Sequence, residues 1–98
     1  MRFAQIIEFS TTRFDEFERL LDDWLAQTEG SRTATRALET RDRDRADTYL
    51  QIIEFPSYEA AMANSALPAT SEIADRMAKM CDGPLTFRNL DILREEAM

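Results

Sequence analysis

The sequence predicts an α+β sandwich of order β-α-β-β-α-β, in which a four-stranded antiparallel sheet carries its helices on one face, and three observations predict it. The pentapeptide Gln-Ile-Ile-Glu-Phe occurs twice in 98 residues, at 5–9 and at 51–55, each copy leading into a helix signal, so a strand-into-helix unit repeats at an offset of 46 residues. Apolar residues from Phe14 to Leu25 fall on one helical stripe, whereas those around both pentapeptides alternate as in strands. Both pentapeptide strands also carry apolar residues on both sides, the pattern of central strands covered on both faces.

Each element follows from local chemistry. Residues 2–10 alternate Phe3, Gln5, Ile7 and Phe9 with Ala4, Ile6 and Glu8, a β-branched and aromatic run suited to a strand. Thr12 is the expected N-cap of the first helix, with Asp15 and Glu16 in the first turn, where the helix dipole favours acids. Phe14, Phe17, Leu20, Leu21, Trp24 and Leu25 form its apolar stripe, and Glu29-Gly30 ends it. Residues 33–41 read as an extended strand of mixed polarity, 42–47 as a polar turn and 48–56 as the third strand, together a hairpin. Ser57 caps a second helix carrying Tyr58, Ala61 and Met62. Pro68 breaks or restarts it, because proline lacks the N–H a helix interior needs. The continuation over 69–81 sets Ile73, Met77, Met80 and Cys81 on one side, with Met62, Met77 and Met80 expected on the inner side of the helix. Asp82-Gly83-Pro84 stops it, residues 85–94 form the last strand, and 95–98 are a charged tail.

This order is that of the ferredoxin-like split β-α-β sandwich, a single domain over 1–98, with the first and third strands expected as parallel neighbours at the centre. Ile7, Phe9, Ile53 and Phe55 should face the helices. Ile6 and Ile52 should face the other way, where an apolar sheet surface calls for a second copy: a homodimer with the sheets face to face.

Composition narrows function mainly by exclusion. A net charge of -7 opposes nucleic-acid binding, which needs a basic face against phosphates. The charge is uneven: residues 31–45 hold five Arg against Glu39, Asp42 and Asp44, a local excess suited to a solvated edge hairpin, an anionic ligand or a partner subunit. No apolar stretch approaches the roughly 20 residues that span a bilayer, and Glu8 interrupts the N-terminal apolar run, so a cytoplasmic protein without membrane association is expected. Cys81 is a single thiol in a chain with no His, and a structural role is expected for it. Without His the chain lacks the commonest haem and zinc ligand and the commonest general base at neutral pH, and metal catalysis would need carboxylates alone; neither a metal site nor a cofactor is expected. No Gly-rich phosphate loop or nucleophile elbow is present.

The Ile-Ile-Glu-Phe strand followed by Ser57-Tyr58-Glu59-Ala60-Ala61-Met62, then Asn64-Ser65 and Pro68, then the closing Phe87-Arg88-Asn89-Leu90-Asp91, resembles the dimeric α+β barrel superfamily, and within it the antibiotic-biosynthesis-monooxygenase-like proteins. The resemblance covers nearly the whole chain and implies fold more sharply than activity, since members include monooxygenases, haem degraders, isomerase-like proteins and others without an assigned role. Members that oxidise aromatic polyketides without metal or flavin use Trp, Asn and Tyr around a pocket between sheet and helices. The comparable residue types here are Trp24, Asn64 and either Tyr49 or Tyr58. Haem-degrading members use a His on the second helix, where this chain has Asn64-Ser65.

Each candidate has a structural alternative. Trp24 suits either core packing or stacking on a substrate, and its indole N–H needs a partner if buried. Asn64 suits either local capping or donation to a substrate oxygen. Gln5 and Gln51 alternate with core residues, so they should either bond each other or present amides to a ligand. Glu8 and Glu54 form an equivalent pair on the other face and are expected to meet Arg of a partner's hairpin. Met62 suits core filling or a pocket for flat ligands. Two functional readings stay open: a cofactor-independent monooxygenase acting on an aromatic or polyketide-like substrate, and a non-catalytic ligand-binding or regulatory homodimer. A cavity of roughly 300 Å³ or more reaching Gln5 or Gln51 favours the first.

Overall fold

A computed structural model of the chain describes residues 1–98 and contains β1 (Phe3–Ser10), α1 (Phe14–Gln27), β2 (Arg36–Arg41), β3 (Thr48–Phe55), α2 (Tyr58–Ser65), α3 (Pro68–Met80) and β4 (Thr86–Asp91). The sheet order is β2-β3-β1-β4, with every neighbouring pair antiparallel. The two pentapeptide strands are therefore central neighbours, as the repeat requires, but they run antiparallel and not parallel. The cause is connectivity: the α1 crossover returns the chain in the direction of β1 one strand away, and the hairpin then turns β3 back into the gap. Ile6 faces Ile52, Gln5 faces Ile53 and Ile7 faces Gln51, so the two pentapeptides are related by a local two-fold through the Ile6–Ile52 pair.

Caps and breaks largely follow the sequence. Ser57 Oγ accepts the Ala60 N–H at 3.0 Å, the expected N-cap of α2. Ser57→Ala should cost about 1 kcal/mol, seen as a lower urea midpoint with an unchanged slope. At α1 the cap position is Arg13 and not Thr12, and no side chain caps it. Thr11, only 1% exposed, takes over the junction: its hydroxyl accepts the Arg13 N–H and donates to the Met80 carbonyl, both at 3.0 Å. The buried threonine ties the end of β1 to both helices, while Thr12 points to solvent. Thr28 closes α1 with its hydroxyl and N–H on the Trp24 carbonyl, and Gly30 takes a left-handed φ of +83°. Pro68 divides the second helix into two, so the chain has three helices. Proline occupies the start of α3, where its missing N–H costs nothing.

The outer strands are shorter than their apolar pattern suggests. Thr33, expected in β2, instead gives its N–H to Asn64 Oδ1 at 3.1 Å and its hydroxyl to the Ala60 carbonyl, tying the β2 approach to α2. Ile7, Phe9, Phe17, Leu20 and Met77 form one buried cluster, and Phe3, Phe55 and Ala61 a second, so the odd-numbered residues of β1 and β3 do face the helices. Met77 is buried, but Met62 is 38% exposed and does not face inward. The short α2 packs through Ala61 and Asn64, and the residue one position after Ala61 lies about 100° around the helix.

The molecule is a slab 21 Å thick, one sheet and one layer of helices, and only 14 of 98 residues are buried. The far face of the sheet is bare: Ile6 and Ile52 are half-buried, and Leu38 and Leu90 are 39% and 43% exposed. Its carboxylates are paired within the chain, contrary to the expected pairing with a partner's hairpin. Glu8 meets Arg45 of its own hairpin at 3.1 Å, while Glu54 meets Arg2 at 2.5 Å and Arg36 at 3.7 Å. No helix is long and apolar enough to cross a membrane.

Candidate functional site

Between the helices and the two central strands lies a cavity of about 240 Å³. Ten of its sixteen lining residues are hydrophobic, so a ligand there would be held chiefly by apolar contact. The structure brings Gln5, Gln51, Trp24 and Asn64 together on its wall. Exposed Ser65, Ser71 and Phe87 mark the mouth, between the α2–α3 break and the edge strand β4. The volume lies below the roughly 300 Å³ typical of small-molecule sites, so a larger ligand would protrude past Phe87.

The polar groups on this wall are oriented by the protein. Gln5 and Gln51 do not bond each other, because the antiparallel register sets them diagonally. Each reaches outward instead: Gln5 Nε2 donates to Asn89 Oδ1 on β4 at 3.1 Å, and Gln51 Nε2 donates to Glu39 Oε1 on β2 at 2.8 Å. Trp24 Nε1 donates to Thr70 Oγ1 at 2.9 Å, satisfying the indole and tying α1 to α3. Asn64 is 5% exposed, and its Oδ1 accepts the Thr33 N–H. A backbone N–H can only donate, so this bond fixes the amide with Nδ2 on the other side. Nδ2 bonds to no protein group, yet no fully enclosed side-chain polar atom lacks a partner, so Nδ2 is accessible on a residue that lines the cavity.

The remaining candidates lie elsewhere. Tyr49 is stacked at 4.3 Å on Phe14 and at 5.8 Å on Phe9, within the core and outside the cavity. Tyr58 is 51% exposed and packs edge-on against Phe3 at 5.5 Å. Met62 does not line the cavity either. Sequence reasoning missed Thr70, Glu39 and Asn89, the hydrogen-bond partners of the wall. The need of the Trp24 indole for an acceptor was the only sequence signal pointing toward Thr70.

A second space of about 330 Å³ opens toward β2, bounded by Arg32, Ala37 and Glu39. Leu21, Trp24, Gln51 and Ile53 line both spaces. The Arg32 guanidinium lies 5.9 Å from the centre of the Trp24 ring, a cation–π distance. Burial raises the Glu39 carboxyl above its ordinary value, the Gln51 hydrogen bond opposes that rise, and the Glu18 charge adds to it. Cys81 is raised chiefly by burial and then by Asp82, which keeps it a thiol and a poor nucleophile. No group of three or more His, Cys, Asp or Glu side chains is placed to hold a metal.

No family model matches the sequence, and no curated protein does. Solved structures match its fold over nearly the full length. A candidate antibiotic biosynthesis monooxygenase from Caulobacter crescentus is similar with a TM-score of 0.82 at 14% identity, covering 95% of this chain and 91% of that one. SnoaB, a cofactor-independent oxygenase from Streptomyces nogalater, is similar with a TM-score of 0.79 at 16% identity over 96% and 95%, and an asparagine-to-alanine mutant of it with 0.80. Rv0793 from Mycobacterium tuberculosis gives 0.80 at 15% identity over 99% and 100%. The chain thus has the fold of the antibiotic-biosynthesis-monooxygenase-like proteins, the ferredoxin-like α+β sandwich expected from its sequence.

Proposed function

We propose that the chain is a cytoplasmic homodimer whose cavity takes a flat aromatic or polyketide-like molecule, and that it oxidises this ligand with dioxygen without a cofactor. The observation that carries the proposal is the Asn64 amide: its orientation is fixed by Thr33, which leaves Nδ2 as an unpartnered donor on a residue lining a mainly apolar cavity. Such a donor stabilises negative charge on a ligand oxygen far better than water-exposed groups do, because it is already oriented when the charge develops. A phenol or enol that gives its proton to water at the cavity mouth and binds as the anion is electron-rich and able to reduce dioxygen. For an anthrone-type substrate, the methylene C–H bonds break, one oxygen atom enters as a carbonyl and the other leaves as water. Trp24 would supply the aromatic wall and Gln5 and Gln51 the polar edges. The homodimer is supported by the bare sheet face, on which Ile6, Ile52, Leu38 and Leu90 are left uncovered and the Glu8 and Glu54 carboxylates are already paired within one chain.

Two features favour the second reading, a ligand-binding or regulatory dimer without catalysis. The cavity, at about 240 Å³, falls short of the roughly 300 Å³ that favours the enzyme. No lining residue of the cavity is titratable, so the wall itself offers no proton acceptor. Oxygen-electrode measurements with anthrone and a hydroquinone separate the two readings. The enzyme reading expects enzyme-dependent uptake matched by carbonyl product. Saturable binding of these compounds without uptake leaves the binding protein.

A further inference from the structure

We infer that Glu39 is a positioning residue that locks the Gln51 amide with its carbonyl oxygen toward the ligand, so that the cavity selects aromatic molecules bearing a hydroxyl group. The inference rests on the reading of the cavity as an aromatic-ligand site. A glutamine amide offers a donor at one end and an acceptor at the other, and half a turn about its last torsion exchanges them. A free glutamine on a pocket wall therefore discriminates little between ligands that donate and ligands that accept. Gln51 is not free: its Nε2 is held at 2.8 Å by Glu39 Oε1, and a carboxylate only accepts. Oε1 is then left as the outward end. It bonds to no protein group and is not fully enclosed, and because Nε2 is drawn toward Glu39 in the second space, we place this oxygen on the side of the cavity that Gln51 also lines.

The local two-fold of the sheet provides a contrast. Gln5 occupies the equivalent place, but its partner is Asn89, another amide. That pair can reverse both members and keep its hydrogen bond, so Gln5 has no fixed polarity. Only the Gln51 side is locked. Opposite it, Asn64 Nδ2 is locked as a donor by Thr33. The cavity thus presents one fixed acceptor on the sheet floor and one fixed donor on the helix wall, which suits a flat ligand carrying a hydroxyl and a separate carbonyl or oxyanion. Glu39 stands in the second space, shared with Arg32 and Arg36, on the far side of Gln51 from the ligand, so it acts through the glutamine and does not touch the ligand.

Calorimetric titration with 2-naphthol and 2-methoxynaphthalene tests this, since the two share one skeleton and differ in the hydroxyl proton. The chain should bind 2-naphthol about tenfold more tightly, a difference of about 1.4 kcal/mol. Glu39→Gln frees the Gln51 amide to turn and should bring that ratio close to one, whereas a merely structural loss would weaken both probes alike. Gln51→Met removes the acceptor and should collapse the ratio in the same way, which keeps the inference testable if Glu39→Gln fails to fold. Equal binding of the two probes by the unaltered chain, or an unchanged ratio in either folded variant, overturns the inference while leaving the cavity an aromatic site. Binding of neither probe overturns the reading of the cavity, and the inference with it.

Discussion

Replacing Asn64 by alanine should lower turnover of an aromatic substrate by about 100-fold or more, the loss seen when one preorganised donor to a developing oxyanion is removed. The same change should cost about 1–3 kcal/mol of stability, because the Thr33 N–H loses its acceptor in a buried place. Asn64→Asp separates the two roles. Aspartate keeps an oxygen for the Thr33 N–H, so that donor stays satisfied and any loss of stability comes from the nearly buried charge, while its second oxygen replaces the Nδ2 donor and repels an anionic ligand. Steady-state oxygen uptake and urea unfolding on both variants read out the two effects. Equal activity in Asn64→Asp and the unaltered chain would remove Asn64 from the chemistry.

Ile52→Lys should convert the protein from a dimer to a folded monomer. Light scattering after size-exclusion should give about twice the 11.3 kDa chain mass for the unaltered protein at micromolar concentration and the chain mass for the variant. Ile52 pairs with Ile6 at the centre of the bare face, so a sheet-to-sheet dimer would bury its replacement. Two ammonium groups, one from each copy, would then lie unpaired in an apolar seam at a cost of several kcal/mol each. In the isolated chain Ile52 is only half-buried, and a lysine there can extend to water with little loss. The neighbouring carboxylates would not rescue the seam, because Glu8 and Glu54 are already engaged by Arg45, Arg2 and Arg36.

The architecture was legible because its signals are periodic. The Gln-Ile-Ile-Glu-Phe repeat marked both central strands, and alternation within it assigned Ile7, Phe9, Ile53 and Phe55 to the helix side. Strand direction was not in the repeat: identical sequences alternate alike whichever way they run, so the antiparallel pairing of β1 and β3 followed from connectivity. The site was half legible. Trp24, Asn64, Gln5 and Gln51 stood out as polar or bulky residues at inward positions, and the fold collects them. Tyr49 also points inward, but two strand positions beyond Gln51 it meets Phe9 and Phe14 and becomes core. Glu39 was hidden because β2 has mixed polarity and reads as a solvated edge. Only the pairing of Glu39 with Gln51 shows that this carboxylate faces the helices.

Trp24 is the only tryptophan in the chain and lines the cavity, so its emission tests the central claim most directly. Titration with a hydroxylated tricyclic aromatic, excited at the red edge of indole absorption, should quench or shift that emission saturably. Asn64→Asp, folded by circular dichroism, should weaken the response. Emission that changes only in proportion to added ligand, without saturation and equally in the variant, would contradict the assignment of this cavity as the binding site.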